Sequence, residues 1–190
     1  MGTGKKVTVV GAGFYGSTTA QRLAEYNIFD TVVLTDIVEG KPEGLALDMN
    51  QSRPIEGFET TVVGVTTGPN GEGYEAIEGS DVVVITAGLP RKPGMSRMDL
   101  LEVNAKIVRQ VSENVARFAP DAVVIVVSNP LDEMTALAQL ATQFPRQRHG
   151  QLHPDRVQRV VAHVVTAQRL VPGDQRGGHP HPRPIGPLAR

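Results

Sequence analysis

Six residues near the start of the chain, Gly11-Ala12-Gly13-Phe14-Tyr15-Gly16, spell G-x-G-x-x-G between a β-branched run at 7–10 and a helical pattern at 14–26. In that setting each glycine has a physical task. Gly11 permits a sharp turn, Gly13 lets the backbone approach a pyrophosphate, and Gly16 lets the helix press on the strand. The helix N-terminus then offers its N–H groups to the phosphates. Asp36 ends the next apolar run, twenty residues past Gly16. A carboxylate there accepts both hydroxyls of an adenosine ribose and repels a 2′-phosphate, which selects NAD over NADP. The competing reading of Asp36 is a simple strand cap.

A second constellation lies at 86–97, Thr86-Ala87-Gly88-Leu89-Pro90-Arg91-Lys92-Pro93-Gly94-Met95-Ser96-Arg97. It follows a fourth apolar run, at the carboxyl edge where ligands bind parallel sheets. Arg91 and Arg97, six residues apart among Pro and Gly hinges, suit a mobile lid that brings guanidinium groups onto a carboxylate. The alternative is a solvated basic loop. Val127-Ser128-Asn129-Pro130 follows the fifth apolar run, and its plainest reading is a turn that opens the next helix.

The elements that must position these residues are legible from periodicity. Strands are predicted at 7–10, 31–35, 59–65, 81–86 and 122–127, and helices at 14–26, 44–50, 98–118 and 131–141, with 68–73 as loop. Strands apolar on both faces, alternating with helices, predict a doubly wound α/β Rossmann-type parallel sheet of about five strands.

Composition divides the chain. Residues 1–145 carry 5 Lys and 6 Arg against 7 Asp and 11 Glu, a net −7, whereas 146–190 carry 8 Arg against 2 Asp, a net +6. Every lysine, glutamate and aromatic residue precedes Pro145, and all five histidines lie between His149 and His181. The expected organisation is a nucleotide-binding domain at 1–148 and a basic His/Pro/Arg-rich tail at 149–190, irregular and disordered apart from a helical stripe at 157–171. The absence of cysteine excludes disulfides, thiolate catalysis and Cys-ligated zinc. His179 and His181 offer adventitious chelation only, so no metal site is expected. No export signal or membrane-length apolar run is found, and a soluble cytoplasmic protein is expected.

The glycine string, Asp36, the arginine loop and Val127–Pro130 together resemble the lactate/malate dehydrogenase family over residues 5–148. The resemblance implies NAD as cofactor, held by Gly11, Ala12, Gly13, Phe14, Tyr15, Gly16, Asp36, Thr86, Ala87, Gly88, Asn104, Val127 and Asn129. It implies that Arg91 holds the distal carboxylate of a small dicarboxylic acid, where lactate-acting members typically carry a neutral glutamine. Arg97 becomes the lid arginine that polarises the substrate carbonyl, Asn129 bonds the substrate oxygen near the nicotinamide, and Asn104 helps place the substrate. The implied reaction is NAD-dependent interconversion of (S)-malate and oxaloacetate, in a family whose intact members are homo-oligomers.

Two of the family's motifs, L-D-x-x-R and G-x-H-G, do not occur in the sequence. The nearest strings are Leu152-His153-Pro154-Asp155-Arg156, with the wrong spacing, and Gly177-Gly178-His179-Pro180, with proline for the final glycine. The catalytic His and Asp and the second substrate Arg are therefore expected to be absent. A shift of reading frame near Arg148-His149 that replaces the substrate domain, and a chain that is catalytically dead, follow as expectations. Loss of a sixth strand is expected to leave residues 122–127 as an uncharged, aggregation-prone edge. Two other readings compete. One is a non-catalytic NAD-binding module whose arginine-rich tail contacts an anionic partner, weakly and without sequence preference because it lacks stacking aromatics. The other is a different NAD-using family.

Overall fold

The computed structural model describes residues 4–151. Its elements run β1 (Lys6–Val10), α1 (Phe14–Glu25), β2 (Thr31–Asp36), α2 (Lys41–Glu56), β3 (Thr61–Thr66), β4 (Val82–Ile85), α3 (Arg97–Phe118), β5 (Val123–Val126), α4 (Leu131–Thr142) and β6 (His149–Gln151), with 3-10 turns at Tyr74–Ile77 and Arg146–Arg148. All the strands are parallel, in the order β3-β2-β1-β4-β5-β6. The order reverses between β1 and β4, so a crevice opens there outside the carboxyl ends of the strands.

The apolar runs become central strands because both faces of the sheet are covered. Val7, Val9, Val32, Leu34, Val82, Val84 and Ile125 pack on one side with residues of α1 and α2. Val83, Ile85, Val124 and Val126 pack on the other with Val108, Val111 and Val115 of α3 and Met134 and Ala138 of α4. Thr8, the polar member of β1, is buried and its hydroxyl lies 2.8 Å from that of Ser80.

Three expectations need correction. The sheet has six strands, not about five. His149, Gly150 and Gln151 pair with Val124, Ile125 and Val126, so β5 is an interior strand and the expected exposed edge at 122–127 does not exist. A His-Gly-Gln strand has no apolar alternation to betray it. It is held from outside: Arg148 lies over the Phe144 ring at 4.6 Å and donates to the Pro120 carbonyl at 2.6 Å. The helix expected at 44–50 is α2, much longer, from Lys41 to Glu56 and ended by Gly57 at φ 75°. Pro54 sits in the last turn of α2. Asn50 meanwhile turns its side chain to Val62, accepting at 3.1 Å and donating at 2.7 Å, and so extends the pairing of β3 onto the helix. The helical stripe at 157–171, the strings around His153–Arg156 and the histidines at 179 and 181 lie outside the described residues.

Candidate cofactor and substrate site

The glycine turn is built as its spacing demands, with each glycine held for a separate reason. Gly11 has φ 106°, and a Cβ there would stand 2.9 Å from both the Ala87 nitrogen and Thr86 Oγ1. At Gly16 a Cβ would stand 1.7 Å from the Gly11 carbonyl oxygen, so only glycine lets α1 lie against the turn. Gly13 is different. A Cβ there would meet nothing within 4 Å, so the protein's own packing has no need of this glycine. The open space lies at the start of α1, which has no side-chain cap and no acidic residue in its first turn. A helix N-terminus with no side-chain cap, beside an open glycine, fits a phosphate group.

Asp36, at the end of β2, performs the capping role and leaves room for more. Its Oδ2 accepts from the Ala12 N–H at 2.6 Å and its Oδ1 from the Val38 N–H at 3.0 Å. A carboxylate has about four lone-pair sites, so two remain for ribose hydroxyls. The two readings of Asp36 are thus compatible.

The carboxyl ends of β1, β4 and β5 are tied together by short side chains. Thr86 donates between the carbonyls of Val10 and Gly11, at 3.0 and 3.1 Å, and the Ser128 hydroxyl donates to the Ala87 carbonyl at 2.6 Å. Asn104, on α3, is almost wholly buried and bridges three backbone groups. Its Oδ1 accepts from the Leu89 N–H at 2.8 Å, while Nδ2 donates to the carbonyls of Leu89 at 3.2 Å and Asn129 at 2.7 Å. Both donor protons and the acceptor oxygen of the amide are engaged by the chain itself. Asn129 follows β5, is joined to Pro130 at the start of α4 by a cis peptide, and is exposed on the cleft.

Arg91 lies in the loop after β4, and Arg97 stands where that loop enters α3. Arg91 folds onto its own loop, donating from Nε to the Met95 carbonyl at 3.0 Å. Arg97 is the first residue of α3, fixed by a capping box in which Ser96 Oγ accepts from the Asp99 N–H at 3.1 Å and Asp99 accepts from the Ser96 N–H at 2.9 Å. Those bonds hold the Asp99 carboxyl below its usual range. The guanidinium of Arg97 reaches α4, where Nη2 lies 3.2 Å from Glu133 Oε1. The Glu133 carboxyl is held below its usual range by its own backbone N–H and then by Arg97.

A cleft of about 950 Å³ brings these parts together. Its lining includes Gly13, Phe14, Tyr15 and Gly16 of the glycine turn, Arg91 and Arg97, and Thr86, Gly88, Asn104, Val127 and Asn129. Gly11, Ala12, Asp36 and Ala87 do not line it; Asp36 meets the glycine turn through the Ala12 N–H. Sequence reasoning missed Ser128 as a tie and Glu133 as the partner of Arg97. The signal for Ser128 was its place directly after β5. Nothing in one sequence marks Glu133, because the contact joins α3 to α4 across 36 residues.

His149 is the one histidine among the described residues, and it is not in this cleft. It pairs with Val124, low on β5, and its Nε2 lies 2.9 Å from Thr142 Oγ1. Burial, and secondarily Arg148, push its pKa down. Among the described residues no group of three or more His, Cys, Asp or Glu could hold a metal ion, and no helix is long and apolar enough to cross a membrane.

A parallel sheet with a glycine turn at its reversal point and a carboxylate ending β2 defines a dinucleotide-binding domain. Residues 5–150 match the family model of the lactate/malate dehydrogenase NAD binding domain, and the chain belongs to that family. NAD is the cofactor of that domain. The malate dehydrogenase of Chloroherpeton thalassium is 52% identical over 143 residues, 75% of this chain and 44% of that protein. That of Nostoc punctiforme is 54% identical over 143 residues, 75% of this chain and 42% of that protein. Among solved structures, the apo malate dehydrogenase of Picrophilus torridus superposes with a TM-score of 0.74 at 39% identity, covering 78% of this chain and 46% of that one. A Cryptosporidium parvum lactate dehydrogenase in complex with lactic acid and NAD superposes with a TM-score of 0.70 at 38% identity, covering 78% and 44%. The chain spans less than half the length of the relatives it matches.

Proposed function

We propose that this chain is the cofactor half of an NAD-dependent malate dehydrogenase, binding NAD at the glycine turn while turning malate over slowly or not at all. The observation that carries the reading is the open cradle at Gly13, in one cleft with Asn129 and both lid arginines. Bound NAD supplies a hydride acceptor at its nicotinamide. Gly13 and the first turn of α1 would hold the pyrophosphate, and Asp36 the adenosine ribose. The dicarboxylic substrate is argued from charge. Arg91 and Arg97 put two guanidinium groups at the lid, and each pairs with a carboxylate in bidentate fashion. Asn129 offers an exposed amide to a hydroxyl or carbonyl oxygen.

Proton transfer is the part these residues do not supply. His149 is bonded to Thr142 away from the cleft, and the motifs that carry the family's histidine, aspartate and second arginine are absent from the sequence. General acid–base catalysis is worth about 10² to 10⁴ in rate. A shift of reading frame near Arg148 accounts for the change in composition there and is part of the proposal; an alternative frame of the gene should restore both motifs. The enzymatic test is NADH formation from malate and NAD by the full chain. The expected result is no turnover above a small residue, and the rate of an ordinary dehydrogenase would overturn the reading.

A further inference from the structure

Glu133 is a charged group in the cleft to which the reading above gives no task. It stands in the first turn of α4, directly across from the lid, and its Oε1 holds Arg97 at 3.2 Å. Its other oxygen, Oε2, is shielded from solvent and accepts no hydrogen bond. The side chain as a whole is partly exposed, and among the described residues Arg97 is the cation paired with it. Arg97, in turn, is fixed by the Ser96–Asp99 capping box at its backbone end only, and its long side chain is largely exposed. The ion pair joins the start of α3, where the loop at 89–96 ends, to the first turn of α4.

We propose that Glu133 is an internal competitor for the substrate's carboxylate. It occupies Arg97 when no dicarboxylate is bound, so that binding is an exchange of one carboxylate for another on the same guanidinium. The proposal rests on the reading of Arg97 as a substrate-facing residue. Glu133 is thus a positioning residue that sets the affinity for anions and does not touch the reacting atoms. It also provides discrimination: a neutral ligand gains nothing by displacing Glu133, whereas a dicarboxylate restores the charge pairing that Arg97 loses.

Malonate is a suitable probe, because it is a dicarboxylate with no hydroxyl to oxidise. Its affinity for the NAD-saturated full chain is measured by calorimetry for the wild type, E133Q and R97Q, alongside amide exchange at residues 89–97 without malonate. Exposed ion pairs are typically weak, so E133Q should bind malonate about two- to fivefold more tightly and exchange its lid amides faster by a similar factor. A merely structural role for Glu133 predicts the opposite for malonate, since a disturbed cleft binds less. Malonate affinity that is unchanged or weaker in E133Q overturns the proposal. If no form binds malonate, lid exchange in E133Q decides: faster exchange supports the latch and equal exchange overturns it. R97Q separates the underlying reading. Malonate bound by R97Q as well as by wild type means that Arg97 does not face the substrate, whatever the lid amides do.

Discussion

Asn104 donates from Nδ2 to the carbonyl oxygen of Asn129 at 2.7 Å, and through its other bonds it holds both backbone groups of Leu89. One buried amide therefore sets the loop after β4 against the loop after β5, the two walls of the cleft. The family resemblance implied a contact from Asn104 to substrate or cofactor. Its side chain lines the cleft, and its bonds to backbone place Asn129 and Leu89.

Replacing Asn104 by alanine leaves these backbone groups without their partner, at a cost of about 1–3 kcal/mol when a buried polar group is unsatisfied. Denaturant unfolding should show that loss, and NAD affinity should fall with it. Asn104→Asp keeps the acceptor for Leu89 but loses the donors, and it sets a carboxylate against two carbonyls. It should be no better than alanine. Full recovery in the aspartate variant would contradict the bridging role.

Gly13 and Gly16 should separate binding from folding. Gly16→Ala forces a Cβ to within 1.7 Å of the Gly11 carbonyl oxygen, so this variant should lose cooperative folding. Gly13→Ala meets no protein atom and has an ordinary helix-capping backbone at φ −69°, so its melting temperature should stay near wild type. Its NAD affinity should nevertheless fall, because the methyl group occupies the space left for pyrophosphate. Equal NAD affinity in Gly13→Ala and wild type would show that the phosphates lie elsewhere.

Asp36 predicts the choice of cofactor. Hydrogen bonds to a charged group contribute about 1.5–3 kcal/mol, so Asp36→Ala should weaken NAD binding by about tenfold to a hundredfold. NADP should lose less, since the repulsion of its 2′-phosphate disappears with the carboxylate. An unchanged ratio of the two affinities in parallel titrations would remove Asp36 from the ribose site. The same variant should be somewhat less stable, because Ala12 and Val38 lose an acceptor.

His149 gives the fold a pH dependence of definite sign. Its folded pKa lies below the ordinary value of 6.5, through burial first and Arg148 second. Above pH 6.5 the imidazole is neutral in both folded and unfolded chains, and its contribution to stability is complete. As the pH falls below 6.5 the unfolded chain takes up a proton that the folded one resists, so stability declines until the folded pKa is passed. Melting temperatures between pH 7.5 and 5.5 should fall in the wild type by more than in His149→Gln. The same slope in both proteins would place the titrating group elsewhere. The depressed carboxyls of Glu43, Glu72, Asp99 and Glu133 act in a separate window, because they lose their contribution below their ordinary values, 4.5 for the glutamates and 3.8 for Asp99.

What the sequence disclosed depended on whether a residue's task was local. The strand–glycine–helix turn is written in consecutive residues, and Gly11 and Gly16 proved sterically obligatory for the reasons their spacing suggests. The five apolar strands were legible because a sheet buried on both faces needs unbroken β-branched runs such as Val82–Ile85. β6 was not, because three residues held by Arg148 and by the Thr142–His149 bond carry no periodic signal. The pairing of Arg97 with Glu133 and the bridge from Asn104 to Asn129 join distant segments, and only the folded chain reveals them.

Calorimetry on the full chain, with NAD injected first and malate second, tests the proposed separation of cofactor binding from catalysis most directly. The expected trace is a saturable heat for NAD at one site per chain, followed by no sustained heat of turnover when malate is added. Absence of any NAD heat, or a continuing turnover signal after malate, would contradict it.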